Sequence, residues 1–519
     1  MPTTNKAPKV VVVGGSFAGL AACRYLSSNA EVTLIDPKEF FEYTPGILHV
    51  LTGSKSRDII ISPLKQVASK STKILNGCFQ GLSLKDQQVI VKSSSNDETI
   101  NVPYDYLIIA TGRGYGAPIK PASTTLTIKQ RLSEIDTFIK KINDANNILV
   151  IGGGLVGVEL AAELACRNDD DNNNNNGKGK EKSRRAVTLL ARSTLLSTLP
   201  LKAGLIAKTW FRRNQVRVVL HDELKINDKN NQPLLTNDGD LQTKDGQIIK
   251  SDCYIDCTGN APVILSTNDN NKSPSKSSSS SSSSSIPVLP LSPPGWSKVS
   301  NYDKDEVQFF SGGEIISPYA SNGYVAVNNN LESINYPNIF AAGDVIQHAS
   351  GYEVAMGHSV PNKWKFGQKF SLPMLRNAHL AESQAESISK LILNRNKNIN
   401  NINNAISYTP YPQSVFWTKY TPALACVSLG PMNGIVVFND LVIGGVILGF
   451  LGAFVKFFIE RSKISEIRNE FTGRSIWAFA HQVTNTLHCW SVSMTLLFMK
   501  IRNLFNKRDN KNRKDLKYD

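Results

Sequence analysis

The chain has 519 residues, of which 41% are hydrophobic and 19% charged, giving room for two or three domains at about 150 residues each. Its net charge of +15 is unevenly placed: residues 177–185 hold five basic residues against one acid and residues 500–519 eight against three, so the remainder is only mildly basic and nucleic acid is not an expected partner. The cysteines Cys23, Cys78, Cys166, Cys253, Cys257, Cys426 and Cys489 are scattered and odd in number; no spacing among them suggests a disulfide framework or a zinc site, and a reducing compartment is implied.

In chain order, residues 9–13 read as a buried strand and Gly14, Gly15, Ser16, Phe17, Ala18 and Gly19 as a tight turn opening a helix. A second strand, 31–35, ends at Asp36, 22 residues after Gly14. This is a βαβ nucleotide cradle. Gly14 allows the turn, the helix N-terminus offers N–H groups to a diphosphate, Gly19 permits close packing, and Asp36 can hold a ribose 2′-hydroxyl. Ser16 stands where a middle glycine is usual and is small enough to keep the backbone accessible. Residues 74–82, 88–92, 99–102 and 106–109 read as short strands, the last running into Ala110, Thr111 and Gly112, which close the first unit.

Residues 132–143 fit a helix, and 148–151 a strand that enters a second glycine turn marked by Gly152, Gly154 and Gly157. The helix that follows turns Leu155, Val156, Leu160 and Leu164 toward a sheet and carries Glu159 in its first turn, where the helix dipole favours a carboxylate. The polar insert 168–185 cannot bury apolar area and is expected to be disordered. The next strand, 186–190, ends Ala191-Arg192-Ser193. The acid that would hold the ribose of NADH is missing there, and Arg192 with Ser193 can hold a 2′-phosphate, so NADPH is expected to be accepted; a solvated arginine with loose coenzyme choice is the alternative. A helix at 198–214, a strand at 216–220 and a hairpin turn at Asp245-Gly246 follow. The strand from 251 leads into Thr258 and Gly259, repeating the closure of the first unit. Disorder is expected again at 264–285, a strand at 324–327, Gly343 and Asp344 after a buried strand, and a helix at 377–393.

With their spacing, these motifs resemble the two-dinucleotide-binding-domain flavoprotein family, the pyridine nucleotide-disulfide oxidoreductase-like proteins. Within it they are most similar to the AIF-like ferroptosis suppressor branch, also called AIF homologous mitochondrion-associated inducer of death, and next to type II NADH dehydrogenases. The resemblance covers roughly residues 9–475. It implies an α/β fold with two Rossmann-like, glutathione-reductase-like domains binding FAD and NAD(P)H, plus a small C-terminal α+β domain. The implied boundaries are 1–115 with 336–407 for FAD, 116–335 for NAD(P)H, 408–475 for a membrane-facing domain, and 476–519 for an amphipathic helix and basic tail.

The resemblance also implies roles for single residues. His49 aligns with a basic residue that contacts FAD, Phe79 presents its backbone to the adenine, and Asp344 bonds the ribityl chain. Glu159 lies between nicotinamide and flavin as the catalytic candidate, Glu163 is structural, and Gln384 borders a quinone pocket. Arg461, Ser462 and Lys463 line up loosely with a Lys-Ser-Arg element near the acceptor site. Residues 36–60 contain no cysteine, so the flavin is expected to pass electrons directly, without a redox-active disulfide. Residues 441–455 form a 15-residue run without charge, shorter than the ~20 a membrane span needs. The tryptophans and basic residues after 475 suit an interfacial helix on an anionic surface. The first core strand opens within ten residues of Met1 and Pro2 replaces the glycine of a myristoylation site, so neither a signal peptide nor that lipid is expected.

The expected activity is an FAD-dependent NAD(P)H:quinone oxidoreductase in the cytoplasm, peripherally attached to a membrane such as a lipid droplet, the mitochondrial outer membrane or the endoplasmic reticulum. The alternative is an AIF-like signalling flavoprotein that oxidises NAD(P)H slowly.

Overall fold

The computed structural model describes residues 7–167, 185–227, 232–259, 311–348, 378–397 and 424–477, apart from short breaks within those ranges. The polar inserts at 168–184 and 264–285 and the tail from 478 lie outside the described residues.

The apolar run Val10–Val13 is buried on both faces, as a central parallel strand requires. This strand, β1 (Lys9–Val13), is followed by α1 (Phe17–Leu26), β2 (Glu31–Asp36) and α2 (Ile47–Leu51). Next come β3 (Lys73–Ser83), β4 (Gln88–Ser93), β5 (Thr99–Pro103) and β6 (Tyr106–Ile109). The first sheet has a parallel core in the order β3–β2–β1–β6–β11, where β11 is Ile339–Ala341. Strands β4 and β5 extend β3 as an antiparallel meander.

A second parallel sheet has the order β9–β8–β7–β10, built from β7 (Asn147–Ile151), β8 (Ala186–Ala191), β9 (Arg217–Leu220) and β10 (Cys253–Asp256). Helices α4 (Leu155–Cys166) and α5 (Leu201–Arg213) connect its strands. The chain passes between the sheets through α3 (Ile128–Asp144), whose N-terminus is closed by a complete capping box of Thr127 and Gln130. Arg131 on that helix is fully buried, donates to both Glu42 carboxylate oxygens at 2.7 and 2.8 Å, and donates also to Glu134.

Helix α6 (Ala378–Lys397) packs on α1. A three-stranded antiparallel sheet, β12 (Leu424–Ser428), β13 (Gly434–Phe438) and β14 (Leu441–Gly444), is covered by α7 (Gly449–Ile467). The uncharged run from 441 is therefore divided between a strand and a helix. Gly452 sits so close to Gly434 that a Cβ on it would lie 2.6 Å from the Gly434 carbonyl carbon. Helix α7 inverts the usual amphipathic arrangement: Glu460 and Lys463 are buried, whereas Phe450, Phe454, Phe457 and Phe458 are exposed. No described helix is long and apolar enough to cross a membrane.

Candidate functional site

The two parallel sheets carry glycine turns of the same construction. In the first, Val13 pairs with Ile35, the next residue Gly14 takes φ +109°, and its N–H donates to the Ile35 carbonyl at 2.8 Å. In the second, Ile151 pairs with Leu190, Gly152 takes φ +116°, and its N–H donates to the Leu190 carbonyl at 2.8 Å. The closing glycines are equally constrained. A Cβ on Gly19 would lie 1.8 Å from the Gly14 carbonyl oxygen, and one on Gly157 1.9 Å from that of Gly152.

Neither α1 nor α4 has a side-chain cap or an acid in its first turn, in contrast to the fully capped α3. Leaving those N–H groups to a ligand is what an anion site at a helix N-terminus requires. A Cβ on Gly154, at the start of α4, would meet nothing within 4 Å, so this backbone faces open space. Ser16, Phe17 and Ala18 open α1, with the Phe17 ring edge-on to Phe41 at 5.4 Å. These features fit dinucleotides in both turns.

The two turns differ in the residue that ends the following strand. Asp36 is buried, and its carboxylate accepts the Gly15 N–H at 2.7 Å and the Lys38 N–H at 2.8 Å, with the Lys38 ammonium 2.9 Å away. At the matching place in the second sheet stands buried Ala191, followed by exposed Arg192 and Ser193. A Cβ on Gly153 would lie 2.7 Å from the Ala191 Cβ, so Ala191 lies directly against the turn. Phe79 is buried on β3 beside a bulge between Phe79 and Gly81.

The strands that complete the sheets end alike. Ala110-Thr111-Gly112 follows β6 and Thr258-Gly259 follows β10, with Gly112 at φ +73° and Gly259 at φ +67°. These closing turns meet. The Arg113 guanidinium donates to the Gly259 carbonyl at 3.3 Å, and a Cβ on Gly259 would lie 2.9 Å from the Tyr115 ring. Lys120, absent from the sequence-derived site, donates to the Arg113 carbonyl at 2.6 Å beside Gly112. Burial pulls its ammonium below the usual range, against the opposing charge of Asp344. Gly343, at φ +83°, donates its N–H to the Gln384 Oε1 at 2.7 Å. Gln384 is buried and braces the turn that carries Asp344, a task that helix α6 gives it and the sequence did not disclose.

Helix α4 is buried from Gly157 to Leu164 on every face, the two glutamates included. It lies between its own sheet and the elements α2 and β12. The helix begins at Leu155, so Glu159 lies beyond the first turn, and its charge is met by tertiary partners instead of the dipole. Its Oε1 accepts the Ser428 N–H at 2.8 Å and is ion-paired to Lys456 of α7. Glu163, one turn on, accepts the Ser428 hydroxyl at 2.6 Å. Burial pushes the Glu163 carboxyl up, but the His49 ring beside it, the Ser428 hydroxyl and the Lys456 charge together hold it below the ordinary carboxylate range. His49 lies between two acids, its Nδ1 3.6 Å from Glu163 and its Nε2 3.6 Å from Glu460. Lys463 is buried and paired with Glu382 and Glu466, while Arg461 is exposed. Lys456 and Glu460 escape sequence reading because their partners lie about three hundred and four hundred positions away in the chain.

A family model described as pyridine nucleotide-disulphide oxidoreductase matches residues 8–273. Ferroptosis suppressor protein 1 of Xenopus laevis is 28% identical over 262 residues, covering 50% of this chain and 64% of that protein. The external alternative NAD(P)H-ubiquinone oxidoreductase B2 of Arabidopsis thaliana is 27% identical over 284 residues, covering 47% of this chain and 45% of that one. The matches thus span less than two thirds of these curated relatives. Among solved structures, NDH2 from Plasmodium falciparum in complex with NADH is similar in fold, with a TM-score of 0.57 at 16% identity, covering 88% of this chain and 97% of that chain. The sulfide:quinone oxidoreductase of Aquifex aeolicus gives 0.53 at 18% identity, covering 89% and 92%. By its glycine turns, its parallel sheets and the family match over half its length, the chain belongs to the pyridine nucleotide-disulphide oxidoreductase family.

Proposed function

We propose that this protein is an FAD-dependent NAD(P)H:quinone oxidoreductase working at a membrane surface without a redox-active disulfide. The observation that carries the reading is the meeting of the closing turns at Arg113 and Gly259, which sets the carboxyl ends of the two cradles against each other. The proposed organisation is an FAD domain from 1–115 and 336–407, an NAD(P)H domain from 116–335 and a C-terminal domain from 408–475. When bound, FAD would supply the two-electron chemistry, taking hydride from NAD(P)H and passing electrons to the quinone.

The chain's own residues bind and orient. Backbone N–H groups opening α1, from Ser16 to Gly19, hold one diphosphate and those opening α4, from Gly154 to Gly157, the other, while Gly14, Gly15 and Gly152 shape the turns through their own N–H bonds. Asp36 holds the adenosine ribose of FAD, Phe79 and His49 border that cofactor, and Asp344 meets its ribityl chain. The turns at Ala110, Thr111 and Gly112 and at Thr258 and Gly259 close over the reacting rings. At the second adenosine, Arg192 and Ser193 take the 2′-phosphate of NADPH. The Asp36 carboxylate marks a site for a free hydroxyl, and its replacement by Ala191 beside an exposed guanidinium supports a phosphate there. Glu159, fixed by Ser428 and Lys456, orients the nicotinamide and holds a proton at the Glu159 Oε1–Lys456 Nζ pair.

Residues 36–60 contain no cysteine, which supports electron flow without a thiol relay. The outward phenylalanines of α7 support contact with a lipid surface, from which a quinone would approach.

The test is direct. Purified protein should be yellow, lose its visible flavin absorption on anaerobic NADPH, and turn over repeatedly with a soluble ubiquinone analogue. Colourless protein that cannot be reconstituted with FAD would end the reading, and a single slow reduction without turnover would favour an AIF-like switch.

A further inference from the structure

Reduction of a quinone to its quinol needs two electrons and two protons. Hydride from NAD(P)H brings both electrons and one proton, so one more proton must come from solvent: NAD(P)H + H⁺ + quinone gives NAD(P)⁺ + quinol. Within the cluster around Glu159, Glu163 is 2% exposed, and a solvent proton needs a path to it. A row of titratable side chains leads inward from the surface, and of its members the binding and hydride steps use only His49, as a neighbour of FAD.

Its outer member is Lys55, whose side chain is 21% exposed and stands 5.7 Å from the ring of Phe457 on the outward face of α7. The Lys55 ammonium lies 2.6 Å from the Glu460 Oε2. Glu460 is 4% exposed and its second oxygen has no hydrogen-bond partner. That oxygen faces Gly46, where a Cβ would sit 3.2 Å away, close to buried Tyr43. From Glu460 Oε2 the gap to His49 Nε2 is 3.6 Å, and from His49 Nδ1 to Glu163 Oε1 again 3.6 Å. Each gap is too long for a hydrogen bond and short enough for one to form after a small ring movement. Glu163 then accepts the Ser428 hydroxyl at 2.6 Å, and the Ser428 backbone N–H donates to Glu159 beside Lys456. An imidazole flanked by two carboxylates can accept a proton on one nitrogen and release one from the other.

We propose that Lys55, Glu460 and His49 form the proton-uptake route of quinone reduction, delivering a solvent proton to Glu163 beside the Glu159–Lys456 pair. The proposal rests on the NAD(P)H:quinone reading. Along the route Lys55 protonates Glu460, Glu460 passes the proton to His49 Nε2, and His49 releases its Nδ1 proton to Glu163. No electron moves in any of these transfers.

Glu460→Gln keeps the side-chain volume and removes the transferable proton. In the holoenzyme, stopped-flow mixing with NADPH reads hydride transfer, and mixing the reduced enzyme with a ubiquinone analogue reads quinol formation. The second rate should fall relative to the first by about a hundredfold or more. Glu460→Ala should regain much of the loss on addition of formate as an external proton carrier. In the resting holoenzyme, pH-difference infrared spectra should show a carboxyl band that Glu460→Gln removes. An unchanged ratio of the two rates, both rates slowing in parallel, or no band assignable to Glu460 would overturn the route. Failure of the unaltered protein to be reduced by NADPH or NADH would instead remove the parent reading, and the route with it.

Discussion

The two glycine turns share strand register, positive φ and the contact that forbids a Cβ on the closing glycine, yet they end differently. The first places a buried carboxylate against its own turn, Asp36 to the Gly15 N–H. The second places a methyl group there and a guanidinium outside, Ala191 and Arg192. The shared part is backbone geometry that any dinucleotide diphosphate demands. The difference is confined to the place where, on the proposed reading, a ribose hydroxyl or a phosphate would lie.

The largest effects should come from breaking what is shared. Gly19→Ala and Gly157→Ala each push a methyl group to within 2 Å of a backbone carbonyl oxygen, and neither unit can fold around that contact unchanged. Gly19→Ala should purify without flavin, whereas Gly157→Ala should keep its yellow colour and resist bleaching by NADPH. The opposite pattern in visible absorption spectra would exchange the assignments of the two turns. Next in size is the link between the units. Arg131→Met leaves the Glu42 carboxylate buried and unpaired, and urea unfolding should report a loss of about 3–5 kcal/mol.

Smaller effects should follow from exchanging what differs. Asp36→Ala removes the acceptor of the Gly15 N–H and the expected partner of a ribose, and FAD titrations should show about tenfold to a hundredfold weaker binding. Arg192→Ala should lower the ratio of kcat/KM for NADPH over NADH by about the same factor. 2′,5′-ADP should compete better than 5′-ADP only while Arg192 is present. A chain that prefers NADH before any substitution would show that the missing acid does not select coenzyme.

The smallest effect concerns pH. Glu163 is held below its ordinary value of 4.5 in the folded state. Its contribution to stability is therefore present above 4.5 and lost as pH falls through the lower folded value. Glu163→Gln should make the acid limb of the stability profile shallower in thermal melts.

Much of the architecture is written locally. The valine run of β1, the glycines at fixed offsets and the alternating residues of the meander are short-range patterns, and each recurs in the structure within a few residues of its expected bounds. Helix α4 was legible as a helix, but not as one buried on every face, because its second cover comes from β12 and α2. Gln384 shows the same limit. Its place on α6 was readable, while its bond to Gly343, 41 positions away, was not.

The sequence by itself determined the two glycine turns, the acid at the end of one and its absence from the other, since backbone conformation and strand ends depend on neighbouring residues. Only the tertiary structure decided that the closing turns meet, that Glu159 is held by Lys456 and Ser428, and that His49 lies between Glu163 and Glu460. Those contacts join residues that are far apart in the chain, and packing, which has no local signature, brings them together.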